Sequence, residues 1–235
     1  MAIAFGNTAA GTGNASGTSD STSFTVTAGS TLLIVGVASD ALGFPTAMSY
    51  NSVAMTKSVD VSSRVAIWTQ ANPASGAHTL SISHGNNGQV DWGIIEASGA
   101  STTIGATATA SNTTDNPSTN ITPNNTPGVI ISVIGDQRQN NNSRTTNGGQ
   151  TEYAIQGNPG NWLNCSRKAY TGVSAVNMAY TSSAGGNTWW HGLMEINEAA
   201  VGPANIKNIN GLVTASVKDF NGLATASVKN INGLA

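Results

Sequence analysis

Two carboxylates raise the question of chemistry first. Glu96 in GIIEASG and Glu195 in GLMEINE each stand near the end of an apolar run of strand length. A pair of carboxyls about 5 to 10 Å apart across a cleft is what a glycosidase uses as acid and nucleophile or base. Such a pair works only if two sheets bring those strand ends together. The plainer expectation is that each reaches solvent or a backbone amide. The eleven acidic residues are otherwise scattered, and His78, His84 and His191 lie on or beside different expected strands without the His-x-His spacing of a metal site. Asp136 and Arg138 follow the run VIISVIG, where a loop-anchoring ion pair is expected. No GxSxG, HExxH or glycine-rich phosphate loop is present, and the isolated Asp residues do not build an EF-hand loop. The expectation is a protein that is not an enzyme and has no cofactor and no metal.

Binding chemistry rests on tryptophan. Trp189 and Trp190 are adjacent within one expected strand, so their side chains point to opposite faces and at most one enters the core. An exposed Trp offers a large flat area with a polar N–H at its edge, suited to stacking on a sugar or anchoring an interface. Trp190 is the candidate for that role, with Trp162 in the loop GNPGNWLNC as a second. Asn140 and Asn141, in the Asn-rich loop from Gln137 to Asn147, would complete a polar, aromatic-edged sugar site. Trp68 and Trp92 sit in apolar strands and are expected in the core.

Composition narrows the partners. Charged residues make up 9% of the 235, against roughly 25% in an average soluble chain, and the formal net charge is −2. Without a basic run the chain lacks the electrostatic footprint that phosphate binding needs, so no nucleic acid is expected. The single cysteine, Cys165, excludes an intrachain disulfide framework and reads as a small core residue. The segment MAIAFGNTAAGTGNASG has no basic region followed by a sustained apolar one, and no stretch approaches the roughly 20 apolar residues of a membrane span. No membrane partner is expected, and synthesis in a cytoplasm is.

The elements that must position these residues are strands. Ser21 to Ala28, STSFTVTA, alternates apolar and polar residues, the period of a half-buried strand. TLLIVGVAS, from Thr31 to Ser39, is continuously apolar and fits a strand covered on both faces. Further runs follow at Val53 to Lys57, Arg64 to Gln70, His78 to His84, Val90 to Ala97, Val129 to Ile134, Glu152 to Ile155, Val173 to Tyr180 and Thr188 to Ile196, separated by Gly, Pro and Asn turns. This spacing predicts an all-β fold, an antiparallel β-sandwich of jelly-roll-like or immunoglobulin-like kind over residues 1–200. Ser111 to Pro127 and Gln137 to Gln150 read as long exposed loops.

Around Val201-Gly202-Pro203 the pattern changes to a short C-terminal β-repeat tail, residues 201–235. Ile206 to Leu212 returns as Val217 to Leu223 and again as Val228 to Leu234, a period of eleven. Every unit contains Asn-Gly, which disfavours a helix and is the strongest short hairpin signal. With Asn221-Gly222 as such a turn, Phe220 pairs with Leu223 and Val217 with Ala226. Ile206, Ile209, Leu212, Val217, Phe220, Leu223, Val228, Ile231 and Leu234 are the apolar residues of this assembly tail. A ribbon so small cannot bury two partly apolar faces alone, and must pack on its own body, on copies of itself or on a partner's sheet edge.

The stretches TLLIVGVAS, MSYNSVAMTKS, RVAIWTQANPASGAHTLSIS and GIIEASGASTTIGATATAS resemble a β-sandwich domain family found in bacterial surface proteins and phage structural proteins, over about residues 3–199. The chain departs from that family's pattern at Ser52, where a hairpin glycine is usual, and at Gly99-Ala100-Ser101, where an acidic residue often follows the glycine. The tail resembles the C-terminal repeats of phage virion proteins, with Val/Ile-Lys-x-Ile/Phe-Asn-Gly-Leu in each unit. The resemblance implies a bacteriophage virion structural protein, a capsid decoration or fibre-like subunit located in the virion and made in the host cytoplasm. It implies a homo-oligomer, with a trimer the expected order by analogy, docked on a major capsid or tail protein. The alternative is a carbohydrate-binding adhesin or receptor-binding protein that takes a host glycan.

Overall fold

The computed structural model describes residues 2–13, 17–40, 43–85, 88–136, 144–158, 161–182 and 188–200, and the short segments 208–209, 212–213, 219–220 and 223–224. Ala2–Glu198 form one compact all-β unit, and the chain from Ala199 belongs to another. Burial along the strands separates two kinds. Ser30–Ser39 and Gly128–Asp136 are enclosed on both faces, as their continuous apolar sequence requires, whereas Ser19–Val26 buries Phe24 and Val26 and exposes Thr25 between them. Continuous runs therefore form inner sheets and alternating runs form outer ones.

The compact unit contains the same sandwich twice. The first repeat comprises β1 (Ala4–Thr12), β2 (Ser19–Val26), β3 (Ser30–Ser39), β4 (Pro45–Tyr50), β5 (Val53–Ala54), β6 (Thr56–Val61), β7 (Val65–Ala71), β8 (Gly76–His84) and β9 (Val90–Ser98). The second comprises β10 (Ala100–Asn112), β11 (Ser118–Ile121), β12 (Gly128–Asp136), β13 (Arg144–Asn147), β14 (Thr151–Asn158), β15 (Asn161–Tyr170), β16 (Val176–Ser182) and β17 (Trp189–Glu198). The inner sheet of the first repeat runs β1-β9-β3-β7-β6, and that of the second β10-β17-β12-β15-β14. The outer sheets run β2-β8-β4-β5 and β11-β16-β13. All pairings in them are antiparallel, and successive strands cross between the two sheets as in a jelly roll. Among the described residues, the second repeat differs in having no counterpart of the two-residue β5.

The two inner sheets pack face to face, so the unit has four layers. Ile34, Ala38, Ile67 and Ile95 of the first repeat share one core with Ile131, Val133, Cys165 and Met194 of the second. A separate apolar core lies inside the first sandwich, built on Leu33, Val35, Trp68, Leu80 and Ile94, and a smaller one inside the second, built on Ile130, Met178 and Leu193. At about 1.5–3 kcal/mol for each large apolar side chain fully buried, the shared core holds the repeats together as strongly as either sandwich holds itself. The packing is pseudo-twofold: β14 lies against β1 and β9, and its counterpart β6 lies against β10 and β17. Close approach depends on small residues, since a Cβ on Gly93 would sit 2.4 Å from the Ala154 Cβ.

Several expectations change. Ser111 to Pro127 is not all loop, because it holds the end of β10 and all of β11, and Gln137 to Gln150 contains β13. The strands β1, β4, β10 and β15 lie outside the expected list. Strands β1 and β10 are built largely of Ala, Gly and Thr, and β15 is interrupted by Asn and Ser, so none of these three shows an apolar period. In the tail, β18 (Asn208–Ile209) pairs with β19 (Leu212–Val213), and β20 (Asp219–Phe220) with β21 (Leu223–Ala224). Ile209 faces Leu212 and Phe220 faces Leu223, the hairpin pairing expected around Asn-Gly. The expected pairing of Val217 with Ala226, and Ile206, Val228, Ile231 and Leu234, lie outside the described residues.

Candidate functional site

Glu96 and Glu195 occupy one position in the two repeats. Both follow Gly-x-x on the last strand, and both lie opposite a bulge in the first strand, between Phe5 and Thr8 in β1 and between Ile104 and Thr107 in β10. The Glu96 carboxylate accepts from the backbone N–H of Asn7 (2.8 Å) and Thr27 (2.6 Å) and from the hydroxyls of Thr27 and Ser30. The Glu195 carboxylate accepts from the backbone N–H of Ala106 (2.6 Å), Asn124 and Asn125 and from the Tyr170 hydroxyl (2.6 Å). A Cβ on Gly6 or Gly105 would run into the carboxylate, so the bulge glycine is part of the arrangement. Burial pushes each pKa up, but the hydrogen bonds outweigh it: those from Thr27, Asn7 and Ser30 hold Glu96 below the ordinary carboxylate value, and those from Asn124, Tyr170, Ala106 and Asn125 do the same for Glu195.

The two carboxylates do not form an acid pair. Glu96 points with Trp92 and Ile94 into the first sandwich, and Glu195 points with Leu193 into the second, on opposite sides of the paired inner sheets. Each ties the bulged first strand to the connection between the second and third strands of its own repeat. The physical role is a brace inside each jelly roll.

The second sandwich holds a buried polar network. The Ser132 hydroxyl lies 2.6 Å from the Tyr180 hydroxyl and 2.8 Å from His191 Nε2, and the Tyr180 hydroxyl also meets the Ser166 hydroxyl at 2.9 Å. All four residues are fully enclosed. A serine bonded to a histidine can serve as a nucleophile with its base, but here no face of the pair is open to a substrate. Burial, the larger cause, pushes the Tyr180 hydroxyl pKa far up, so it stays a neutral donor despite the Ser132 and Ser166 hydroxyls. The network acts as a cross-brace of hydrogen bonds, each worth about 1 kcal/mol net. Nearby, Asn164 Nδ2 and the Thr146 N–H both donate to Glu152 Oε1.

The remaining histidines lie elsewhere. His84 Nε2 is 2.8 Å from the Asp20 carboxylate, and His78 bonds the Ser75 carbonyl and stands edge-on to Tyr50. Cys165 is free and fully buried between the inner sheets, where burial pushes its thiol pKa far up and leaves it unreactive.

The expected aromatic sugar site does not assemble. Trp162 pairs with Asp136 and Trp190 with Gly135, so the two rings lie on opposite faces of the same sheet. Trp162 is buried in the fold. Trp190 is half-buried, packed on the shared core with the Arg64 guanidinium 5.0 Å from its ring centroid, and Trp189 is buried beside Ile134 and Tyr180, so both rings pack on a core where at most one was expected to. Asn140, Asn141 and Arg138 lie outside the described residues, and Asp136 is fully buried at the end of β12. Trp68 and Trp92 are core residues, as expected.

One opening stands at the seam of the repeats. Phe5, Gly6, Thr8 and Ile95 from the first repeat and Glu152, Tyr153, Ala154, Ile155 and Arg167 from the second line a cleft of about 440 Å³. The Arg167 guanidinium lies 4.2 Å from the Phe5 ring centroid. Sequence reading missed this cleft because its walls come from strands almost a hundred and fifty residues apart. The available signal was an arginine in a chain with few charges, placed directly after the buried run Asn161–Ser166 of one strand.

Comparison of the chain with family models, curated proteins and solved structures finds no match.

Proposed function

We propose that the protein is a structural component of a bacteriophage virion, a decoration or fibre-like subunit whose all-β body is displayed and whose tail assembles or docks it. The observation that supports this reading is the repeat. Two eleven-residue units and an eight-residue start of a third lie in residues 206–235, and the first two pair Ile209 with Leu212 and Phe220 with Leu223 across Asn-Gly. A two-strand ribbon with apolar residues in it is marginal in water and needs a partner surface. The resemblance of this repeat to the ends of phage virion proteins names the kind of partner: copies of the chain, and a major capsid or tail protein. The body agrees in its chemistry, because its buried acids and its buried Ser132–His191 pair are consumed in bracing the two jelly rolls.

The mass in solution tests the reading. Light scattering of the full chain beside a version truncated after Ala200 is expected to give an oligomer for the first and a folded monomer for the second. Two folded monomers of equal shape would remove the tail's assembly role and with it the main support for a virion subunit.

A further inference from the structure

The seam between the repeats occurs twice, and its two versions differ. Each involves an edge strand with a one-residue bulge: Ser58 bulges between Lys57 and Val59 of β6, and Tyr153 between Glu152 and Ala154 of β14. On the neighbouring strand the matching residues are Thr69, paired with Thr56, and Arg167, paired with Thr151. In the first repeat the two side chains satisfy each other, with Ser58 Oγ 2.8 Å from Thr69 Oγ1. In the second they do not. Tyr153 turns its hydroxyl into the shared core toward the Cys165 thiol, and Arg167 Nε is buried without a hydrogen-bond partner.

A buried guanidinium N–H destabilises the fold unless an acceptor reaches it. Tyr153 and Arg167 both line the 440 Å³ cleft, a size within the usual range of small-ligand sites. The Arg167 guanidinium lies over the Phe5 ring, and among the described residues it has no carboxylate partner. The acidic residue at the cleft, Glu152, is engaged at Oε1 by Thr146 and Asn164. The rest of the lining is apolar: Phe5, Ile95, Ala154 and, at the rim, Ile155, which is 47% exposed. At the rim position of the first repeat stands Asp60, ion-paired with Lys57.

We propose that this cleft binds a small carboxylate with an apolar body, the carboxylate taken by the Arg167 guanidinium and the body lying along Phe5, Ile95 and Ile155. A planar guanidinium matches the acceptor geometry of a carboxylate, and the apolar walls select against a bare hydrophilic anion. The site does not depend on the virion reading, because it lies wholly within the compact unit.

The test is a titration of the full chain, labelled with nitrogen-15, with hexanoate, using hexanol and acetate as controls. The Arg167 Nε–H resonance, assigned by its loss in Arg167→Gln, is expected to shift saturably with hexanoate, together with amides of β1 and β14. Hexanol, acetate and the Arg167→Gln variant should each bind at least about tenfold more weakly, the size of one lost charge-assisted contact or of the lost apolar body. Ile155→Glu, at an exposed position that leaves the fold intact, is expected to weaken hexanoate by a similar factor through like charge, and it keeps the test valid if Arg167→Gln unfolds. Absence of a saturable shift in the folded protein, an equal response to hexanol, or unchanged affinity in both variants would overturn the proposal.

Discussion

In the first jelly roll, Val35, Ala66, Trp68 and Trp92 meet between the inner and outer sheets; in the second, the same four positions hold Ser132, Asn164, Ser166 and His191. One set is an apolar core and the other a hydrogen-bonded network capped by Tyr180. The topology is nevertheless the same. What the repeats share is at the level of the backbone: the bulged first strand, the bulge glycine beside a buried glutamate, and the connection that this glutamate clamps. The comparison teaches that the shared fold follows those braces and the shared inner core, while the outer cores are free to diverge. It also locates divergence at the two seams, one closed by Ser58 and Thr69 and the other open beside Tyr153 and Arg167.

The braces give the largest effects. Glu96→Gln and Glu195→Gln each replace a carboxylate that accepts four hydrogen bonds, and each is expected to cost about 3–4 kcal/mol, read as a lower urea midpoint. Equal costs would support one role in both repeats; a neutral result at either position would break the comparison.

The matched glycines at the centre of the packing come next. Gly93→Ala places a methyl 2.4 Å from the Ala154 Cβ and is expected to cost about 2 kcal/mol, whereas Gly192→Ala places it 3.0 Å from a Val59 methyl and should cost less than about 1 kcal/mol. Denaturant melts of the two variants check the order. Ser132→Val writes the first repeat's residue into the second, leaves the Tyr180 hydroxyl with Ser166 and takes the serine away from His191 Nε2, at about 1–2 kcal/mol.

Acid gives the smallest and most gradual effect. Both glutamates have folded pKa values below the ordinary 4.5, so their stabilisation is fully present above that value and is lost as pH falls through the folded values. The melting temperature of the wild type should therefore drop below about pH 4.5, and the gap to the Glu96→Gln, Glu195→Gln double variant should narrow there.

Much of the architecture was legible in sequence. TLLIVGVAS reads as an enclosed strand and STSFTVTA as a half-buried one, and both are. The duplication was not read, although GIIEASG and GLMEINE carry the same Gly-x-x-Glu. Their likeness suggested a catalytic pair, because residue types alone do not show whether two carboxylates share a cleft or repeat a brace. The strands of β1 and β10 are small-residue segments whose pairing is set by the neighbour they lie on and not by their own period. Ser132, Ser166 and His191 were visible as polar residues inside buried runs, but their convergence depends on the register of three strands. Trp162 and Trp190 fail as a joint site for the same reason, since register places them on opposite faces.

The central claim is that the two jelly rolls form a single body through a shared core between their inner sheets. Equilibrium urea unfolding of the full chain, followed by tryptophan fluorescence and by residue-resolved hydrogen exchange, addresses it most directly. The account predicts one transition seen by both probes, with amides of β3 and β12 exchanging through the same opening. Two transitions, with one repeat opening while the other keeps its protection, would contradict it.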